Sequence, residues 1–479
     1  MAAASIAAGA CAPDANQTPA ATPLPTVVVA AETDAPTPAV PNGSALPSSG
    51  PSTTPTVDPS STPELPDTAG RTSMDLRVTY DVKAALSVDS GAIEVTTLLR
   101  VANESGSDID HLELNTIAAA LGGIRIIEST VDDEAVKVRI SDQTLIVPLD
   151  GTLAAGDSTE VRIGYRARLR AGLTGSDWMF SHAGDTLVLY RWIPWVSRAI
   201  SFDRPNDGQP FVTPVSPRVD VEIVTDQPMI LAAPTPDVVL AGVGRGGAWA
   251  FSMQDVRDVA VVLAPDFKVI EGKAAGVTIR VYVPSGSANG SRLLALAKQA
   301  VSGQSDLLDL DFPRSFLAIV EPEGGEALEA PGLSLLPRTK DTLTRTYLVH
   351  QQVAHQWFYG LVGTDQRAEP FADEGPSDLL ARTVLGAFRA SRCPTTPLDR
   401  GIAGYSGGCY YEVVNVQGGL LLDDVRQRIG GKAFWTALRG YVSAHQRGFG
   451  GTVALLEAFR SASEVNLLPL FRSRFPSLY

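Results

Sequence analysis

Gln351-Gln352-Val353-Ala354-His355-Gln356-Trp357-Phe358, with Asp373-Glu374-Gly375 beyond it, is the stretch that decides how the chain is read. The pattern of apolar residues predicts a helix from about Lys340 to Leu361. On that helix positions 351 and 355 stand one turn apart, about 40° from each other on one face. Histidines at such a pair of positions can share one zinc, and a glutamate beside the first can take a proton from metal-bound water. Here only the second position is histidine, and both 351 and 352 are glutamine. An amide oxygen is a much poorer zinc ligand than an imidazole nitrogen, and an amide cannot act as a general base. His350 does not fill the gap, because five residues along a regular helix turn it about 140° from His355.

The tail His355-Gln356-Trp357-Phe358 and the acidic Asp373-Glu374-Gly375 resemble the membrane alanyl aminopeptidase family of gluzincins. That family's motif is H-E-x-x-H, eighteen residues, then a glutamate as third ligand, and here eighteen residues separate His355 from Glu374. The resemblance covers most of Leu76 to Tyr479 and implies site residues. The zinc-ligand positions are Gln351 (replaced), His355 and Glu374, and the general-base position is Gln352 (replaced). Upstream, Ala327-Leu328-Glu329-Ala330-Pro331-Gly332-Leu333 looks like the family's G-A-M-E-N segment, so Glu329 matches the glutamate that holds the substrate's free amine, while Glu326 and Ala330 depart from the pattern. Downstream, Asn415-Val416-Gln417-Gly418-Gly419 aligns with Y-x-K-G-A and puts Asn415 where the family's tyrosine stabilises the tetrahedral intermediate. Loss of a positioned base forfeits about 10²- to 10⁴-fold in rate, and loss of an oxyanion donor roughly 10²- to 10³-fold more. Zinc, the family's cofactor, is accordingly expected to bind weakly or not at all.

The rest of the chain divides by character. From about Leu76 to Phe267, alternating segments at Leu76 to Leu86, Ile93 to Val101, Val136 to Ile140, Thr144 to Leu149, Val161 to Ala167, Val219 to Val224 and Val256 to Leu263 predict a large antiparallel β domain. Tyr190, Trp192 and Trp195 read as packing in that domain rather than as a ligand platform. After Lys268 a strand at Val277 to Val283, a helix from about Ser291 to Leu308, a strand at Phe316 to Val320 and a run of helices predict an α+β half. The expected organisation is a lipobox-like signal (1–11), a disordered tether rich in Pro, Ser, Thr and Ala (12–75), a β-rich N-terminal domain (76–268) and, as the resemblance implies, a thermolysin-like gluzincin α+β domain (269–479).

The tether rests on composition: thirteen of the 34 prolines fall between Pro13 and Pro66. Such a segment cannot build a core and would hold a folded body on the order of 40 Å from its anchor. Ala7-Ala8-Gly9-Ala10-Cys11 resembles a bacterial lipoprotein cleavage site, which makes Cys11 the lipidation residue. The alternative is an ordinary alanine-rich start. With Cys11 so used, Cys393 and Cys409 remain, either as a disulfide suited to an extracytoplasmic location or as two separate thiols. The net charge of -14, without a basic cluster, argues against nucleic acid as a partner.

These readings converge on a surface-displayed relative of zinc aminopeptidases that no longer hydrolyses peptides. It would be held to the membrane through its lipid alone, and its old cleft would bind a peptide or protein partner. Two alternatives stand beside it: an active zinc aminopeptidase with an altered ligand set, and a structural surface protein whose cleft is closed.

Overall fold

Leu76–Ser87 and Ala92–Asn103 bury alternate side chains and pair antiparallel across a turn that Gly91 closes at φ +64°. A computed structural model describes residues 75–199, 211–240, 246–322, 324–406 and 408–479. Cys11 and the tether up to residue 74 lie outside the described residues.

Among these, the first two strands sit near the middle of an eight-stranded sheet. Val239–Leu240, Ala248–Val256 and Ser216–Thr225 lie on one side of the pair, and Ser158–Arg168, Arg125–Val131 and Glu134–Ala135 on the other. One junction departs from the antiparallel expectation: Leu76–Ser87 runs parallel to Ser216–Thr225, with Tyr80 opposite Val219. The connection between them is long enough to return the chain in the same direction, which a hairpin cannot do. Two other expectations change in detail. The strand anticipated at Val256 to Leu263 is two strands, Ala248–Val256 and Val261–Ala264, parted at Arg257 and Asp258. That at Val136 to Ile140 resolves into Glu134–Ala135 and Arg139–Ser141. Tyr190, Trp192 and Trp195 are buried packing residues: Trp195 stacks on Tyr80 with ring centroids 4.2 Å apart, and the Trp192 indole donates to Val259 O at 3.0 Å.

The second half is built on a five-stranded sheet in the order Phe267–Ala274, Val277–Pro284, Phe316–Val320, Leu333–Leu335, Leu328–Ala330. Its central pair is parallel, joined by the crossover helix Gly290–Leu308, whose buried Leu293, Leu296, Ala297, Ala300 and Val301 form one apolar face. Thr342–Ala354 and Phe371–Leu385 follow. Then come a π-helical turn Glu412–Gln417, the helices Gly418–Ile429, Gly431–His445 and Thr452–Ser461, and a short helix Leu468–Arg474 that had no sequence expectation.

The helix expected to reach Leu361 ends at Ala354 and makes His355 its cap. Beyond it the chain closes a tight turn, with Val362 N–H donating to Trp357 O and Tyr359 N–H to Val362 O. That turn buries both Trp357 and Phe358 completely, where a straight helix would carry them to different faces. Two glycines fix how closely the following helices approach. A Cβ on Gly418 would lie 3.3 Å from Gly375 Cα, and one on Gly419 would lie 2.2 Å from the Asp378 carboxylate. A side chain at 419 would displace that carboxylate and one at 418 would press on the facing helix, and this close approach brings residue 415 against residue 374.

Candidate functional site

Five elements carry the site. Thr342–Ala354, capped by Asp341 accepting from Leu343 N at 3.0 Å, presents Gln351 and Gln352 in its last turn with His355 just past its end. Phe371–Leu385 presents Asp373 and Glu374 in its first turn. The edge strand Leu328–Ala330 contributes Glu329, the π-helical turn Glu412–Gln417 contributes Asn415, and the loop before Phe371 contributes Gln366. π-helical turns recur where a side chain must be re-aimed out of the helical register. The structure therefore brings together Gln351, Gln352, His355, Glu374, Glu329 and Asn415, as the motif spacing implied. Every one of these side chains, and Asp373, is 0% exposed.

Their contacts run in one network. Gln351 Nε2 donates to Glu374 Oε2 at 2.9 Å and lies 3.4 Å from His355 Nε2. Asn415 Nδ2 donates to the same Glu374 oxygen. Gln352 Nε2 faces Glu329 Oε2 at 3.5 Å. Gln366 Nε2 bridges Glu329 Oε1, at 3.2 Å, and Asp373 Oδ2. His355 Nδ1 meets Asp373 Oδ1 at 2.9 Å, with Phe358 O at 3.2 Å and Ser377 Oγ at 3.3 Å. A carboxylate on the far ring nitrogen fixes the imidazole's orientation, and Asp373 has that role here.

Burial works against a charged imidazole at His355, but the Glu329 and Asp373 carboxylates and the hydrogen bonds to Asp373 and Glu374 outweigh it and hold the pKa well above the usual histidine value. Burial likewise pushes Asp373 up, to about 6, against the opposing pull of His355. Both shifts keep a proton in this pair near neutral pH.

The fold's zinc positions can be tested directly on this geometry. Ligands sharing a zinc at about 2.0–2.2 Å lie roughly 3.3–3.5 Å apart. His355 Nε2 and Glu374 Oε2, at 3.6 Å, come close to that spacing. The third position fails. Gln351 turns an N–H toward the pair, and the amide oxygen that would replace it is a much poorer zinc ligand than an imidazole nitrogen. A donor has no lone pair to give, so Gln351, His355 and Glu374 together do not fit zinc. Among the described residues, another group with suitable atoms is Glu329, His355 and Asp373, all within 4.8 Å of one another. Two of its members are already joined by the 2.9 Å hydrogen bond.

Sequence reasoning missed three members. Gln366 and Ser377 belong to no motif and reach the site only through folding, Gln366 across 37 positions to Glu329. Tyr410 places its hydroxyl in the interior without a hydrogen-bond partner among the described residues, and burial, then the charges of Glu374, Asp373 and Glu329, raise its pKa. Asp373 was visible beside Glu374, but not its hold on His355. His350 bonds through Nδ1 to Thr346 O at 2.8 Å, within its own helix. Cys393 and Cys409 are joined in a disulfide, Cα atoms 5.9 Å apart, immediately before Tyr410.

No protein-family model matches the sequence, and no curated protein matches it. Solved structures do. The M1 zinc metallopeptidase from Deinococcus radiodurans matches with a TM-score of 0.64 at 18% identity over 81% of this chain and 91% of that one. A glutamate-to-alanine mutant of that enzyme matches at 0.66 and 17% identity, over 83% and 94%. The same kind of mutant bound to a Tyr-Ser-Ala substrate matches at 0.63 and 17% identity, over 83% and 93%. The architecture is thus the two-domain α+β fold of M1 zinc metallopeptidases.

Proposed function

We propose that the chain is a non-catalytic protein of the M1 metallopeptidase fold, in which the former active site has become a closed polar core, carried outside the cytoplasm on a lipid anchor. One observation carries the first part: the Gln351 amide nitrogen lies against both Glu374 and His355, where the fold would place a ligand's lone pair. With Asn415 it supplies Glu374 with the positive partners that a zinc ion would otherwise give. Gln352 cannot activate water, and Asn415 lacks the hydroxyl of the family's tyrosine. Complete burial of all seven side chains supports the closed-cleft reading over peptide capture in the old cleft, since a peptide must touch the residues that select it.

Elemental analysis of the purified protein, paired with an aminopeptidase assay with and without added zinc, tests this. The expected result is zinc far below stoichiometric and turnover indistinguishable from buffer, unaffected by chelator. Stoichiometric zinc with chelator-sensitive turnover would establish the active alternative.

The location rests on Cys11 and on the Cys393–Cys409 disulfide, which suits an oxidising compartment. Labelled palmitate should enter the wild-type chain in a bacterial host and not the Cys11→Ser variant; equal labelling of both removes the anchor from the proposal.

A further inference from the structure

The π-helical turn that aims Asn415 at Glu374 is gripped at both of its ends. Gly418 N–H reaches back five residues to Val413 O, the bonding that defines a π turn. Such bonding sets residues five apart over one another, whereas on a regular α-helix they stand about 140° apart. Glu412 and Gln417, the first and last residues of the turn, are five apart, and one irregular strap of chain, residues 389–398, holds them both. Arg389 donates to the two Glu412 carboxylate oxygens at 2.7 and 2.8 Å, Arg392 N–H to Glu412 Oε2 at 2.9 Å, and Ser391 Oγ to Glu412 O at 3.0 Å. Gln417 Nε2 donates to Ser391 Oγ at 3.1 Å, Cys393 O at 3.2 Å and Pro394 O at 2.9 Å, and Gln417 Oε1 accepts from Thr396 N–H at 3.2 Å. A regular helix would part residues 412 and 417, break one end of this grip and re-aim Asn415.

The hydrogen bonds of the strap are part-buried and compete with water, so each holds modestly alone. The covalent tie is the disulfide. Cys393 lies inside the strap, and Cys409, whose carbonyl accepts from Val413 N–H at 2.9 Å, leads into the turn. Both cysteines are half-buried, with exposed Pro394 and Gly408 beside them, so a small thiol can reach the bond. Disulfides open to solvent are the ones that exchange.

We infer that the Cys393–Cys409 disulfide is a redox-sensitive latch on the former active site, fixing the strap that keeps the turn π-helical and Asn415 on Glu374. The inference rests on the reading that the core is closed: the latch is what keeps this wall shut. One thiolate of a dithiol reductant attacks a cysteine sulfur and the second resolves the mixed disulfide. The reductant leaves as a cyclic disulfide, having given the chain two electrons and two protons. The freed strap then releases Glu412 and Gln417.

Hydrogen exchange of the full protein, read by mass spectrometry with and without excess dithiothreitol, provides the test. Reduction should speed exchange in peptides covering residues 409–419 and 371–380 by on the order of 10²-fold, the relaxation expected on cutting a cross-link that spans sixteen positions. Exchange in the strand Leu76–Ser87 should not change. The double variant Cys393→Ser, Cys409→Ser should show the fast pattern without reductant, and dithiothreitol should add nothing to it. No acceleration at 409–419 on reduction overturns the inference, as does acceleration spread equally over Leu76–Ser87, which marks a staple of global stability. Either failure leaves the non-catalytic reading standing. Stoichiometric zinc with chelator-sensitive turnover in the oxidised protein sinks that reading, and the latch's role with it, whatever the exchange shows.

Discussion

Changing Gln351→His and Gln352→Glu together should give a protein that retains about one zinc per chain through dialysis, yet remains a poor peptidase. The gain in metal follows from atoms already in place. His355 Nε2 and Glu374 Oε2 are 3.6 Å apart, and Asp373 holds the His355 ring from behind at 2.9 Å. What the pair lacks is a third lone pair, and Gln351 offers an N–H instead. An imidazole at 351 removes that donor and completes a His-His-Glu set of the kind found in catalytic zinc sites. A metal ion is small enough to reach these buried side chains through local opening of the core. The rate should stay low for two independent reasons. Asn415 provides no hydroxyl for the developing oxyanion, which alone withholds about 10²- to 10³-fold, and the cluster remains buried. Zinc content by elemental analysis and turnover of a chromogenic aminoacyl substrate measure the two halves separately. A folded double variant without zinc would show that positions 351, 355 and 374 do not form the fold's metal set in this chain. A rapid peptidase would show that the cleft is open.

The features legible in the sequence were those that a local pattern records. The spacing of His355 and Glu374, the glutamines at 351 and 352, and the positions of Glu329 and Asn415 all follow motifs, and the structure brings these residues into one network. The strands with strict alternation, such as Leu76–Ser87, were equally plain because one face is buried. What escaped depended on distant partners. The helix ends at Ala354 because Trp357 and Phe358 are buried through a turn, a tertiary demand that periodicity does not encode. The interruption at Arg257 and Asp258 was invisible inside an apolar run, since their partners come from other segments. Gln366 carries no signal at all: a glutamine in a loop looks solvated until folding sets it between two buried carboxylates. The distinction between a retained and a closed site was likewise beyond the sequence, because burial belongs to the assembled fold.

The largest loss of stability should come from outside the site, at Arg191. Its side chain is buried between the two halves of the fold, donating to Tyr359 OH at 2.6 Å, Tyr190 OH at 3.0 Å and Thr213 Oγ1 at 3.2 Å, and pairing with Asp258 at 3.3 Å. Tyr359 also donates to Asp258, and its backbone sits at φ +90°, a conformation a tyrosine holds only under external constraint. The Arg191–Asp258 pair therefore anchors the turn that follows His355. Nearby, Arg198 pairs with Asp365 at 3.2 Å, one residue before Gln366, so the loop reaching Glu329 is tied to the same β half. Arg191→Met leaves the Asp258 carboxylate buried without its cation, a change that costs about 3–5 kcal/mol when a buried pair is broken from one side. Adding Asp258→Asn removes the stranded charge and should recover part of that loss. The exposed pair Lys83–Glu222, whose side chains are 62% and 54% exposed, serves as the control, and breaking it should leave the unfolding midpoint unmoved. Urea unfolding of the four proteins gives the comparison. An Arg191→Met midpoint matching the wild type would mean that the pair is dispensable and that Tyr359 keeps its conformation by packing alone. A deep loss rescued by Asp258→Asn would identify this ion pair as the feature that holds the two halves of the fold in register.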